Sequence, residues 1–338
     1  MRPEAIAAVN EGMRRWANPS SPHAEGRAAR AALEEARARI KAALGWTGEL
    51  IFTSGASEAL WIALNRSKAK RRIVSAVEHD AVFRAALGAE IARVTDGEID
   101  LDALAPLLAD GPSPIVAIQS VNSETGTLLL PGAGNHKAVD LVHAAGGVVL
   151  SDCSQGQGRI PPDVDIAVVS AHKLGGPVGI GALLVCDLAL LEPVGGHEFG
   201  YRMGTENLPA ILGFAAALAA GGAESWSTTP EQQLDFKNAI WRAGDVIAPG
   251  VQAAHILSIA MPRLSAAAQL IRFDAMGFAV SAGSACSSGT LKRSRALEAF
   301  GVDEDTASRT IRVSFGWNTT PDEIDAFRDA WLDMARSA

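Results

Sequence analysis

The sequence predicts an α/β protein: a mainly parallel sheet with helices on both faces, followed by a smaller α+β domain. Three observations lead there. Apolar runs rich in Val and Ile at 72–77, 114–121, 147–150 and 165–169 alternate with helical stretches, the rhythm of a parallel sheet covered on both sides. Ser57, His79, Asn122, Asp152 and Lys173 stand just beyond the carboxyl ends of such runs, the edge at which open α/β sheets bind ligands. The rhythm then breaks near Gly221-Gly222-Ala223, and 338 residues exceed one ordinary core. The expected division is a large domain over 15–223 and a small one over 224–338, with residues 1–14 packing against the small one.

Taken in order, residues 21–44 read as a helix, with Pro22 in its first turn and Leu33, Ala36, Ile40 and Leu44 at helical spacing. Residues 49–53 form a short strand after Gly45, and Ser54-Gly55-Ala56-Ser57 opens the next helix. Strands and helices alternate from there to Cys186. Beyond the break, 225–229 is a connection, 231–243 a helix, and 256–261 and 279–281 weak strands, with helices at both ends of the remainder.

Hydrophobic residues make up 48% of the chain, enough for a sizeable core. The net charge of -8, with no basic cluster interleaved with aromatics, argues against nucleic acid as a partner. The short basic run at 68–72 reads as a solvated loop. No apolar stretch is long enough to span a bilayer, and the first residues lack the apolar core of a signal peptide, so no membrane association is expected. Three cysteines are too few and too scattered for a disulfide framework or a closed zinc site, which fits reduced thiols in the cytoplasm and no resident metal. Cys153 and Cys186 lie beside or within strands and read as small core residues. Cys286 sits among Gly, Ser and Ala, a composition suited to an exposed loop, where a thiolate can act as a nucleophile.

The chemistry concentrates in Ser170-Ala171-His172-Lys173-Leu174-Gly175-Gly176-Pro177. A lysine just past a buried strand, partly desolvated, can serve as an amine nucleophile toward an aldehyde. Ser170 and His172 supply donors suited to a phosphate, and the glycines let backbone approach a ligand. Asp152 ends the preceding strand. An acid there can keep a pyridinium nitrogen protonated, as pyridoxal phosphate requires, or can simply cap a turn. Ala56 and Ser57 open a helix whose free amides favour an anion. Arg312, on a strand, offers a bidentate fork for a carboxylate or a structural ion pair.

At these residues the chain resembles the cysteine desulfurases of the class V aminotransferase group, pyridoxal-phosphate enzymes of the type I aminotransferase fold. The resemblance covers nearly the whole chain in family order. Asn18-Pro19-Ser20-Ser21-Pro22-His23, Phe52-Thr53-Ser54-Gly55-Ala56-Ser57-Glu58, Glu78-His79-Asp80-Ala81-Val82 and Val121-Asn122-Ser123-Glu124-Thr125-Gly126 precede the Asp152 and Lys173 segments. Arg202-Met203-Gly204-Thr205-Glu206-Asn207, Gly283-Ser284-Ala285-Cys286-Ser287-Ser288 and Ile311-Arg312-Val313-Ser314 follow them.

The resemblance implies that Lys173 carries pyridoxal 5'-phosphate as a Schiff base and shuttles protons. It implies that Asp152 pairs with the ring nitrogen, Gln155 with the ring hydroxyl, and that His79 lies over the ring. Ala56, Ser57, Ser170 and His172 would hold the phosphate, joined by Thr205 from the neighbouring subunit of a homodimer. Asn122, Ser123 and Arg312 would bind substrate, Arg312 through its carboxylate. The implied reaction converts L-cysteine to L-alanine, leaves a persulfide on Cys286, and passes the sulfur to an acceptor such as an iron–sulfur scaffold protein. Another pyridoxal-phosphate reaction on this fold, such as a selenocysteine lyase or an aminotransferase, stays open, as does a non-catalytic sulfur-transfer subunit. Ser123 departs from the family's second Asn, and Trp317 stands where many members carry Arg. The family's opening Leu-Asp-x-x-Ala-Thr-Thr-Pro segment would end about where Met1-Arg2-Pro3-Glu4 stands.

Overall fold

Strands in which every residue is buried belong inside a sheet covered on both faces, and several of this chain's strands are of that kind. The computed structural model describes residues 1–131, 136–283 and 294–337. It divides into two units: Met1–Ala92, Leu101–Ser120 and Leu130–Ala223 form the first, and Arg93–Asp100, Val121–Leu129 and Glu224–Ala338 the second.

The first unit is built on seven strands: β1 (Glu49–Thr53), β2 (Arg71–Ser75), β3 (Glu90–Ala92), β4 (Pro114–Ala117), β5 (Val148–Asp152), β6 (Ile166–Ser170) and β7 (Gly181–Val185). Their order across the sheet is β1-β7-β6-β5-β4-β2-β3. The pairs β6–β5, β5–β4, β4–β2 and β2–β3 are parallel, whereas β7 runs antiparallel to both β6 and β1. Reversing twice brings β1 back to the direction of β6. The carboxyl ends of β1, β2, β4, β5 and β6 therefore share one edge, and Gly181, the first residue of β7, lies at that edge between Thr53 and Ser170.

Helices α1 (Pro3–Arg14), α2 (Ala24–Ala43), α3 (Ala56–Arg66), α4 (Asp80–Ala85), α5 (Leu101–Ala109), α6 (Lys137–Ala144) and α7 (Leu208–Ala219) complete this unit. The expected start of α2 moves by a few residues. His23, not Pro22, sets it, because the His23 Nδ1 accepts the Gly26 N–H at 3.1 Å and leaves Pro22 outside the helix. Leu33, Ala36 and Ile40 are buried as the spacing predicts, as is Leu44, which forms the C-cap rather than the last helical turn.

Residues 1–14 differ from the expectation. They form α1, and α1 packs on α7 of the first unit rather than with the smaller one. Gly12 makes this possible: a Cβ there would lie 2.8 Å from the Cα of Pro209. Arg2 fixes the end of the helix. Its N–H donates to the Gly175 carbonyl at 2.7 Å, and its guanidinium donates to the carbonyls of Ala220 and Gly221.

The second unit carries strands β8 (Asp245–Ile247), β9 (Ile256–Ala260), β10 (Ser281–Ala282) and β11 (Thr310–Ser314) in the antiparallel order β8-β9-β11-β10. Helices α8 (Pro230–Trp241), α9 (Ala266–Ala275), α10 (Arg295–Ala299), α11 (Glu304–Ser308) and α12 (Pro321–Ser337) belong to it. Thr229 and Gln232 cap α8 reciprocally, side chain to backbone in both directions. Its core centres on Phe236, Phe273, Phe327 and the fully buried Trp331. Trp331 lies so close to Gly244 that a Cβ at 244 would meet the indole at 2.5 Å. The segments 93–100 and 121–129 also belong to this unit, which no local pattern signals.

Candidate active site

Three strand ends of the first unit, those of β1, β5 and β6, deliver the groups suited to an aldehyde-bearing, phosphorylated ligand. At the end of β6, Ser170 is buried and its hydroxyl lies 2.8 Å from the His172 Nδ1. A short 3-10 turn, Ala171–Leu174, carries His172 and Lys173 outward and ends at Gly175, whose φ of 79° lies in the left-handed region. Lys173 is exposed on this turn. Partial burial, with the charge of Lys173 adding to it, holds the His172 imidazole below its usual pKa.

The end of β1 leads through Gly55 into α3. Gly55 has φ 149° and supplies no side chain to cap the helix, so the first amides of α3 keep their donors. Gly181 lies against it: a Cβ at 181 would sit 2.8 Å from the Gly55 Cα. Ala56 is half-buried and Ser57 exposed at this terminus. The Glu58 carboxylate accepts the Ser54 N–H and pairs with the Arg202 Nε at 3.2 Å, tying the segment that carries Thr205 to the start of α3. Thr205 is exposed and does not cap α7. Asn207 does, its Oδ1 accepting the Ala210 N–H.

Asp152 ends β5, half-buried, its Oδ1 accepting the Ser154 N–H at 2.9 Å, and Gln155 follows in the same turn. His79, after β2, is exposed and caps α4: its Nδ1 accepts the Ala81 N–H at 3.1 Å, which selects the tautomer protonated on Nε2. Two acids in motifs quoted from the sequence are withdrawn from water, Glu78 buried and Glu124 half-buried. Glu78 is 5% exposed, and burial with the negative charge of Asp152 pushes its carboxyl up to about 8, against the backbone bond from Gln119. Burial raises the Glu124 carboxyl as well, against a hydrogen bond from Ser294 and the charge of Arg312.

Asn122, Ser123 and Arg312 lie in the second unit and gather there. Asn122 is buried, and its Oδ1 accepts the backbone N–H groups of Glu124 and Thr125 and the Thr125 hydroxyl, which shapes its own loop. Arg312 donates from Nη1 to the Ser123 carbonyl at 3.1 Å and from Nη2 to the Ser281 hydroxyl at 3.2 Å, with its Nε buried and without a partner among the described residues. Cys286 lies outside the described residues. Cys153 is buried and its thiol is pushed up to about 12, chiefly by burial, as suits a small core residue. Cys186 is exposed, contrary to its reading as core, because β7 ends at Val185 and the chain leaves the sheet there.

The family model of aminotransferase class V matches residues 2–327. The chain belongs to the class V aminotransferase family. Among its relatives in that family, a cysteine desulfurase of Frankia sp. strain EuIK1 is 35% identical over 93% of this chain and 84% of its own length. A cysteine desulfurase of Cereibacter sphaeroides is 32% identical over 96% of this chain and 90% of its own. Among solved structures, the NifS-like protein of Rickettsia africae superposes with a TM-score of 0.88 at 27% identity, covering 100% of this chain and 97% of that one. The fold is thus that of the pyridoxal-phosphate enzymes of type I. Among the described residues, no helix is long and apolar enough to cross a membrane.

Class V aminotransferases work with pyridoxal phosphate, and the donor set here fits that group. An uncapped helix terminus backed by Gly55 and Gly181, where a Cβ on Gly181 would collide, leaves room and amides for an anion. A primary amine on Lys173 and a carboxylate on Asp152 stand at neighbouring strand ends on the same edge.

Proposed function

We propose that the protein is a cysteine desulfurase that takes sulfur from L-cysteine, releases L-alanine, and passes the sulfur to an acceptor protein such as an iron–sulfur scaffold. The reading rests on the amine, acid and anion-binding amides at one sheet edge, in a chain 35% identical to a cysteine desulfurase. Lys173 would hold the cofactor's aldehyde carbon, Asp152 its ring nitrogen and Gln155 its ring hydroxyl. The α3 amides at Ala56 and Ser57, with Ser170 and His172, would hold its phosphate. When bound, the cofactor supplies an electron sink that weakens first the Cα–H bond and then the Cβ–S bond of the substrate.

The remaining work falls to this chain. Asp152 would hold the ring nitrogen and favour its protonated form. The Lys173 Nζ would take the α-proton of the substrate and return a proton to carbon. The His79 Nε2 is the nitrogen left to stack beside the ring and exchange a proton, since its Nδ1 is committed to the Ala81 amide. Arg312, held by Ser123 and Ser281, takes the substrate carboxylate, and Asn122 supports the loop that presents the Ser123 carbonyl. The Cys286 thiolate attacks the substrate sulfur: the new S–S bond forms as Cβ–S breaks, and the electron pair of that bond passes to the substrate carbon skeleton, which is protonated to alanine.

The first unit would be the cofactor-binding domain and the second the small domain. Thr205, exposed three residues after the Arg202 anchor, would reach the phosphate of a partner subunit, making the enzyme a homodimer of the cytoplasm. The test is release of alanine and sulfide from L-cysteine by protein reconstituted with pyridoxal phosphate, with dithiothreitol as acceptor. Equal yields of both products, lost in Lys173→Ala and in Cys286→Ala, are expected. Alanine formation that survives Cys286→Ala would overturn the thiolate step.

A further inference from the structure

Glu78 stands where the loop after β2 meets the end of β4, and its surroundings do not suit a charge. It is 5% exposed. Its Oε1 accepts the Gln119 N–H at 2.7 Å, while its Oε2 is buried without a partner among the described residues. Among the described residues no cation pairs with it. The neighbouring charge that bears on it is Asp152, at the end of β5, and that charge is also negative. The flanking ionisable groups turn elsewhere: the His79 Nδ1 accepts the Ala81 N–H, and Asp80 pairs with Arg84.

Two carboxyl groups that share a poorly solvated region cannot both ionise freely, and solvation decides which one keeps the proton. Asp152 is half-buried with a backbone N–H on Oδ1. Glu78 has less water and one oxygen to which nothing among the described residues donates.

We infer that Glu78 is a positioning residue for Asp152: it carries a proton on Oε2, and so puts no second negative charge beside that side chain. A second function follows from the same bond. The Glu78 Oε1 serves as acceptor for the Gln119 amide, and the next residue, Ser120, donates its N–H to the Asp152 carbonyl at 3.0 Å. The protonated carboxyl thus braces the backbone that holds Asp152 without adding charge beside it. The value of this arrangement for catalysis rests on the assignment of Asp152 to the cofactor's ring nitrogen. The protonation state of Glu78 does not.

The test separates the two. Infrared difference spectra between the cofactor-free wild type and Glu78→Gln should show the carbonyl stretch of a protonated carboxyl at neutral pH, absent from the variant. That band should disappear as pH rises through about 8. In Asp152→Asn, which removes the neighbouring negative charge, it should disappear at lower pH. A Glu78 signal seen only as carboxylate at neutral pH, or a midpoint that Asp152→Asn leaves unmoved, would overturn the inference. In the reconstituted enzyme, Glu78→Gln keeps both the Gln119 acceptor and neutrality, so its cofactor absorbance should match wild type, whereas Glu78→Ala should alter it. A cofactor spectrum indifferent to Asp152→Asn would instead count against the assignment of Asp152, leaving the infrared result standing.

Discussion

Arg37 and Glu198 offer the sharpest test of what holds the first unit together. The two are separated by 161 positions in sequence, and their side chains are 6% and 0% exposed. Arg37 donates to both Glu198 oxygens, at 2.7 and 2.9 Å, to Glu34 at 2.9 Å, and to the Leu50 carbonyl at 2.6 Å. Its guanidinium lies 4.7 Å from the ring centre of Phe52 and 5.0 Å from that of Phe199. Arg37→Met keeps most of the volume and removes every one of these bonds. Among the described residues, Glu198 would then keep the Phe52 N–H, at 2.7 Å, and no cation, in a site closed to water. Stranding a buried carboxylate in this way costs about 3–5 kcal/mol. With a denaturant dependence of about 3 kcal/mol per molar urea, the unfolding midpoint should fall by about 1 M or more. Urea titration followed by circular dichroism measures it. The double variant Arg37→Met with Glu198→Met, which leaves no orphaned charge, should recover most of the loss. A single variant that falls by less than about 1 kcal/mol, or a double variant no better than the single, would refute the reasoning.

Other perturbations follow from the same geometry. Gly181→Ala puts a Cβ 2.8 Å from both the Gly55 Cα and the Val169 carbonyl, so it should cost about 1–3 kcal/mol and weaken retention of pyridoxal phosphate on dialysis. Because Glu78 is raised from 4.5 to about 8, the native chain keeps a proton that the unfolded chain releases. Stability present in full below pH 4.5 is therefore lost as pH rises through about 8, and Glu78→Gln should escape that loss, gaining on wild type by up to about 5 kcal/mol at alkaline pH in parallel melting curves. Arg312→Lys cannot reproduce the fork that bonds Ser123 and Ser281 together, and should raise KM for L-cysteine by about tenfold or more, the equivalent of about 1.4 kcal/mol.

Much of this was legible in the chain itself. Buried strands announce themselves as short Val- and Ile-rich runs, so the sheet edge bearing Asp152 and Lys173 could be located from where those runs stop. The start of α2 was misplaced because Pro22 and His23 are both plausible openers, and only the ring geometry shows that the imidazole is the cap. Partnerships between distant residues left no local trace. Arg37 looks like any helix-surface arginine until Glu198 is brought to it. The membership of 121–129 in the second unit and the burial of Glu78 likewise depend on packing that no window of sequence contains. Cys186 misled in the opposite sense, since a cysteine one residue beyond a buried strand reads as part of it.

Ser123 illustrates how a substitution can be silent. What Arg312 takes from that position is a main-chain carbonyl, an atom that every amino acid supplies. Replacing the side chain leaves the contact in place, provided the loop keeps its shape, and the Asn122 amide oxygen sets that shape by gathering the Glu124 and Thr125 amides. A saturation scan should therefore score 123 as permissive and 122 as strict. Read without the coordinates, such a scan would dismiss a position that touches the key guanidinium and would credit its neighbour, which does so only through the backbone it bends.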